Sequence, residues 1–586
     1  MKNVKKIALL LLVILILSIT SVFAYHFPEP DWGGLLNERK SMVTKNELEL
    51  YIESVTNSAP YFGAKFEPMR GTYLGMTADT AEDFRPLGSY LTYMDGIEQE
   101  DLYYPSNFMI ERDTVIPTVA INVSSIDNID FDVVRRTLNR LDSYNMPMFV
   151  RFANEMNCSE LGDEPDNYVS VFRSFANMVH EYPNFAMVWS PNDIGALDRP
   201  FQYYYPGDEY VDWVGVSCYM KKYFMDNHNN KYDDTIFFMT GDFAWATNKV
   251  KPVIDYMKKY NINKPLMVSE GGAATNSSRG DEYEEWAAPR LRNMLNYLVM
   301  RYPQIKLINY FNVIIPYEVE KYNISGKTYA EDIYKEASQN GAYIREFGMQ
   351  SDFSFNTANS AETLKAKDGI VNLYTYAYLP GYPEVTINYS IDDVWYSFSQ
   401  KIPYKCSLNL NDITDGQHTL TISTVNNNTK KYTFFKRGDC ICFGQEPDSS
   451  LVTPDPVTPP AEPVHPIAPT EIRVILNGNN IDFGDQPPVI INGRTLVPLR
   501  AIFEALGAEV TWEADTQTVT ASRNGIKIFL RIGSDKMYIN NVEKILDVEA
   551  QLINSKTMVP LRAISESFGC DVSWNDSERT VTLVEQ

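Results

Sequence analysis

The sequence predicts a multidomain chain: a (β/α)8 TIM barrel, then an all-β immunoglobulin-like sandwich, then a duplicated small α+β domain. Three observations carry this. Over residues 25–346, eight apolar β-type runs alternate with longer mixed segments, the pattern of a parallel sheet buried on both faces. Over 350–444, short runs alternate apolar and polar with period two, as strands with one buried face do. Beyond 470 a whole segment returns at an offset of 62 residues, a supersecondary unit used twice.

The first element is not part of the fold. Lys2, Lys5 and Lys6 precede the apolar run Ile7–Leu17 and a small-residue site ending at Ala24, the three-part pattern of a signal peptide over residues 1–24. The run is short for a bilayer. The expectation is a secreted or cell-surface chain with no membrane span after cleavage; a retained anchor is the alternative. With 52 basic against 76 acidic residues, the formal charge is −24. Such a chain is repelled by phosphate backbones, so no nucleic-acid partner is expected. Six Cys are too few for a disulfide scaffold, and the five His form no H-E-x-x-H site. No metal or organic cofactor is expected.

The barrel strands read as Thr72–Met76, Ser89–Tyr93, Thr114–Ile121, Pro147–Phe152, Phe185–Trp189, Trp213–Ser217, Pro265–Ser269 and Lys306–Phe311, with helices such as Phe131–Asp142 and Tyr168–His180 between them. Strand four leads into Asn154-Glu155-Met156-Asn157 and strand seven into Glu270-Gly271-Gly272. The C-terminal ends of barrel strands converge on one mouth, where active sites are built. Two carboxylates there suit glycoside hydrolysis. Glu155 is expected to be the acid/base and Glu270 the nucleophile, each raising the pKa of the other. Arg151 would orient a carboxylate through its planar fork. Asn157 would contact sugar hydroxyls or cap a helix. Trp189 would stack on a sugar or close the barrel core. Cys158 and Cys218 read as buried thiols, and His228 as a solvated loop residue.

Arg151-Phe152-Ala153-Asn154-Glu155-Met156-Asn157 resembles the R-P-F-H-E-M-N segment of glycoside hydrolase family 26. Trp189-Ser190-Pro191-Asn192, the stretch Tyr205 to Gly215 and Ser269-Glu270-Gly271 are similar to segments of that family. The resemblance implies membership of the large barrel clan with its acid/base and nucleophile glutamates on strands four and seven. The family is mostly β-mannanases, with some β-glucanases and xylanases. It implies that Tyr219 hydrogen-bonds the nucleophile, with rim packing as the alternative. One position departs: Asn154 stands where the mannanases carry His. Asn is the wider clan's residue there, where its amide bonds the sugar 2-OH, so the mechanism is kept while mannan specificity is not implied.

The sandwich follows at 350–444, where Cys406 has Cys440 or Cys442 as possible partners. It would brace the barrel or bind glycan. Eight prolines punctuate 446–470, a semi-rigid linker. Over 471–586, Thr495-Leu496-Val497-Pro498-Leu499-Arg500-Ala501-Ile502 returns as Thr557-Met558-Val559-Pro560-Leu561-Arg562-Ala563-Ile564. Each copy reads as a strand, a Pro-started helix closed by Gly, and two further strands. The pattern resembles the stalk-type domain named after the N-terminal domain of copper amine oxidase. No His follows His465, so imidazole ligation of copper is excluded here. The resemblance implies a non-catalytic appendage for surface display, for association with cell-envelope polymers or for spacing of a catalytic unit.

The expected function is a secreted retaining glycoside hydrolase cleaving a β-linked polysaccharide, β-mannan or β-glucan-like, by double displacement. The alternatives are a non-catalytic cell-surface glycan-binding or structural protein on a degenerate barrel, and an inverting hydrolase.

Overall fold

The computed structural model describes residues 45–56, 59–77, 81–97, 114–158, 161, 163–192, 200–222, 245–277, 280, 282–314, 321–380, 382–424, 428–451, 472–484, 486–491, 494–513, 518–540, 542–553, 556–575 and 579–585. The expected signal peptide, His228 and most of the Pro-rich linker lie outside them. The chain divides into two compact units, residues 1–454 and 455–586.

The first unit holds a closed parallel barrel. Its strands, in chain and spatial order, are Thr72–Thr77, Ser89–Asp95, Ile116–Asn122, Met148–Phe152, Phe185–Trp189, Trp213–Lys222, Leu266–Ser277 and Ile305–Tyr310. The eighth pairs with the first through Tyr73↔Leu307 and Gly75↔Asn309, closing the ring. Met148–Phe152 and Phe185–Trp189 are buried along their whole length, which is why they are apolar runs without alternation. Outside them, the helix Phe131–Asp142 starts where the Asp130 side chain accepts from the N–H groups of Asp132 and Val133, filling donors that a helix start leaves open. Its Val133, Val134, Leu138 and Leu141 face inward. Tyr73, Ile116, Phe149, Trp213, Met267 and Leu307 pack together inside the N-terminal end of the barrel with Phe66 and Phe347. That floor leaves the opposite mouth for chemistry.

Strands six and seven run further than the sequence suggests. They stay paired through Ser217↔Glu270, Cys218↔Gly271 and Tyr219↔Gly272, with a register shift at Val216/Ser217. A Cβ on Gly271 would sit 2.4 Å from the Cys218 carbonyl oxygen, so glycine permits the approach. Tyr219 therefore lies within strand six, not after it.

Two antiparallel sheets follow. One is ordered Ser354–Thr357, Glu47–Ser54, Ile370–Tyr378, Tyr404–Asn409. The other is ordered Thr363–Lys365, Cys440–Phe443, Thr429–Arg437, Gly416–Thr424, Ile387–Ile391, Val394–Ser399. Glu47–Ser54 falls in the stretch assigned to the barrel, yet it pairs with both Ser354–Thr357 and Ile370–Tyr378. Leu50 and Ile52 are fully buried in this sheet. The barrel side meets the sheets through Tyr297, whose O–H donates to the Thr375 carbonyl at 3.3 Å, and Arg301, 4.3 Å above the Tyr376 ring. None of the six cysteines forms a disulfide. Cys406 lies opposite Leu373 in one sheet, while Cys440 and Cys442 belong to the other. Cys158, expected buried, is exposed; Cys218 is buried.

In the second unit, Arg494–Pro498 and the helix Leu499–Ala505 are matched by Lys556–Pro560 and the helix Leu561–Ser567. The two strands pair antiparallel with Val497 opposite Val559, equivalent positions of the two repeats. Pro498 and Pro560 cap the helices from extended backbone and do not occupy their first turns. Gly507 and Gly569 follow each helix at φ 70° and 84°, the left-handed conformation that favours Gly there. No described helix is long and apolar enough to cross a membrane.

Candidate active site

Glu270 and Glu155 reach the mouth by different backbone routes. Glu270 projects from within strand seven, where its side chain is nearly buried. Its Oε2 accepts from Arg151 Nη1 at 2.7 Å and from the Tyr93 hydroxyl at 3.0 Å. Its Oε1 accepts from the Tyr219 hydroxyl at 2.8 Å. These donors come from strands four, two and six, so one carboxylate is held from three sides. Arg151 is fully buried. Burial is the largest single influence and opposes its charge, but Glu270, Tyr93 and Glu155 together outweigh this and raise its pKa. Its Nη2 reaches Ser217 Oγ at 3.4 Å. Burial first, and the Glu270 charge second, push the Tyr93 and Tyr219 hydroxyls well above the ordinary phenol range. They remain donors at neutral pH.

Glu155 sits three residues past strand four. Ala153 and Glu155 both have left-handed backbone, φ 44° and 57°, which costs a non-Gly residue about 1–2 kcal/mol. The turn persists because other bonds fix it: the Glu155 N–H donates to the Ser190 carbonyl at 2.9 Å. It swings the side chain toward the barrel axis, where Oε1 accepts from Asn192 Nδ2 at 3.1 Å. Burial is the main cause, and the Glu270 charge the next, that lift the Glu155 pKa from 4.5 to about 7. Bonds from Ser217 and Asn192 and the Arg151 charge act the other way.

The other expected site residues divide. Asn154 lies beside Glu155, and its Oδ1 is buried with no hydrogen-bond partner among the described residues. Asn157 is fully buried, and its amide is committed. It donates to the Asn192 carbonyl at 3.0 Å and accepts from the Asn192 N–H at 2.8 Å. Both of these bonds run to Asn192 and the side chain is fully buried, so the structure places Asn157 as a support of Asn192. Trp189 is fully buried and edge-on to Tyr205, ring centres 5.0 Å apart. Of the two roles expected for Trp189, full burial fits closure of the barrel core and not stacking on a sugar. Tyr93, Asn192 and Ser217 were missed. The only signal for Tyr93 was a tyrosine at the end of a predicted strand. Asn192 stands in the quoted Trp-Ser-Pro-Asn segment without an assigned role.

The glycosyl hydrolase family 26 model matches residues 109–283, which contain both glutamates. The copper amine oxidase N-terminal domain model matches residues 475–583. The chain carries a family 26-like barrel and a copper amine oxidase N-terminal-like tail. A β-1,3-xylanase of Alcaligenes sp is 24% identical over 276 residues, covering 40% of this chain and 55% of the relative. A protease inhibitor of Brevibacillus choshinensis is 31% identical over 113 residues, covering 19% of this chain and 34% of the relative. The chain thus spans about a third and about half of these two relatives. Among solved structures, a Cellulomonas fimi endo-β-1,4-mannanase double mutant aligns at TM-score 0.36 and 10% identity, covering 65% of this chain and 99% of the other. A Bacteroides ovatus family 26 β-mannanase aligns at TM-score 0.33 and 13% identity, covering 48% and 92%.

Proposed function

We propose that the family 26-like barrel is a retaining glycoside hydrolase acting on a β-linked polysaccharide, with Glu155 as acid/base and Glu270 as nucleophile. The observation that carries this is the unequal treatment of two carboxyls in one site. Glu155 titrates at about 7, so it can hold a proton for the leaving oxygen near neutral pH. Glu270 is held by Arg151, Tyr93 and Tyr219, which aims it for attack on the anomeric carbon. In the covalent intermediate the nucleophile is neutral, so Glu155 loses the second of the two causes that raised its pKa, its pKa falls, and it is then suited to take a proton from water. Asn154 Oδ1, an unsatisfied acceptor, suits a sugar hydroxyl beside Glu155. Substrate contact by Arg151 is not needed, since its fork serves Glu270. The mannanase and β-1,3-xylanase names among the similar proteins support the substrate class and leave mannan, xylan and glucan as the panel to test.

The same proposal makes the chain a secreted or surface-held enzyme. Residues 25–346 would be the catalytic block, 350–444 a sandwich that braces it, 446–470 a linker, and 471–586 a tail that holds it near envelope polymers. The test is incubation with β-1,4-mannan, β-1,3-xylan and mixed-linkage β-glucan, following the product anomer by NMR. One substrate should release sugar with the β-configuration retained, and Glu155→Gln and Glu270→Gln should each lose that activity. An initial α-product sinks the retaining mechanism. No release from any polymer by folded protein favours the glycan-binding alternative.

A further inference from the structure

The segment after strand five holds the acid/base at two points. Ser190 takes the backbone N–H of Glu155, and Asn192 donates to its Oε1. Asn192 is itself fixed on both sides. Asn157 satisfies its N–H and its carbonyl together. Ser217 pairs with it as a parallel bridge, with the Ser217 N–H on the Pro191 carbonyl at 3.0 Å. A side-chain amide carries a donor and an acceptor on one plane, so Asn157 can serve both backbone groups of one residue. A carboxylate in its place loses the donor, and an aliphatic residue loses both.

We propose that Asn192 is a positioning residue for the acid/base, held by Asn157, and that it determines which oxygen of Glu155 carries the proton. This rests on the assignment of Glu155 as acid/base. An amide N–H only donates, so the oxygen it binds is left as an acceptor. The proton of the neutral acid is therefore placed on Oε2, the oxygen that would donate it to the leaving group. The Ser217 hydroxyl, which also bonds this carboxyl, donates or accepts and does not discriminate. Among the described residues, the charged and titratable groups that face Glu155 are Glu270 from strand seven, Arg151 from strand four, Tyr93 from strand two and Tyr219 from strand six. Cys158 packs on its own turn, with Sγ 3.4 Å from the Glu155 carbonyl. Asn192 is uncharged, so removing it leaves the field of those groups in place.

The test compares pH profiles of kcat/KM for the wild type, Asn192→Ala and Asn157→Asp. One substrate is the polymer of the panel that the wild type cuts. The other is a 2,4-dinitrophenyl glycoside of its sugar, whose leaving group needs no proton. Asn192→Ala should lose about 10- to 100-fold on the polymer, mostly in kcat, and less than about threefold on the aryl glycoside. Its alkaline limb should move up by as much as about one pH unit, because a donor to the ionised form is gone. Asn157→Asp, with Asn192 intact, should move both readouts in the same direction by less. Thermal unfolding shows whether each variant is folded, and the Asp variant carries the test if the Ala variant is not. Equal losses on both substrates, or an unmoved alkaline limb, overturn the proposal while leaving Glu155 as acid/base. Undiminished polymer hydrolysis by Glu155→Gln overturns both.

Discussion

Glu155→Gln should stabilise the barrel at alkaline pH while abolishing hydrolysis. The folded state raises the Glu155 pKa from 4.5 to about 7. At about 1.4 kcal/mol per pH unit, the ionised form carries a penalty of about 3 kcal/mol in the native state relative to the unfolded chain. The sign follows from proton counting. Below about pH 4.5 both states bind the proton and nothing is lost. Between 4.5 and 7 the native state binds more protons, so stability falls as pH rises. Above 7 the full penalty is present. Gln is neutral throughout and removes it. Urea unfolding at pH 4 and pH 8, followed by far-UV circular dichroism, should show wild type and variant about equal at pH 4. At pH 8 the variant should be more stable by about 2–3 kcal/mol. A variant that is no more stable at pH 8, or whose advantage is the same at both pH values, would refute the raised pKa and with it the acid assignment. Loss of activity alone would not separate these cases.

Three further outcomes follow from the same geometry. Tyr219→Phe deletes the 2.8 Å bond to Glu270 Oε1 and keeps the ring against Phe311 and Tyr322. It should cost about 10- to 100-fold in kcat with the melting temperature nearly unchanged; a large loss of stability would show the hydroxyl to be structural. Arg151→Met leaves the Glu270 carboxylate without its buried cation and should destabilise by about 3–5 kcal/mol in urea titration. Arg151→Lys should not restore activity, because one ammonium cannot serve Glu270 and Ser217 together. Of the six cysteines only Cys158 is exposed, so one thiol should react quickly with a disulfide reagent in native buffer. Two or more fast thiols would contradict the burial of Cys218, Cys406, Cys440, Cys442 and Cys570.

The barrel was legible because strands buried on both faces must be apolar without interruption, and every predicted strand overlaps an observed one. The glutamates stood out only as a pair, at the mouth ends of strands four and seven; either alone would read as a solvated loop residue. What was hidden depended on distance in sequence. Tyr93 is one of 38 tyrosines, and only closure of the barrel brings it to a carboxylate 177 residues away. Gly271-Gly272 lies beyond the predicted end of strand seven, yet here the missing side chains let strands six and seven stay paired. Trp189 ends an apolar strand like any rim aromatic, and Tyr205 packs edge-on against it. The alternation of Glu47–Ser54 is plain, but its partners lie about 300 positions on, so nothing nearby announced which sheet it joins.

That strand makes the polypeptide enter and leave the barrel through the same neighbour. A recombinant fragment stopping at residue 346 would retain Glu47–Ser54 but strip it of every β-partner, exposing Leu50 and Ile52 on a bare edge that invites aggregation. On the ribosome, this piece waits from near the beginning of translation until Ile370–Tyr378 has emerged. Minimal versions of the barrel are therefore better trimmed from the tail inward to about 451 than cut at the sequence border between barrel and sandwich.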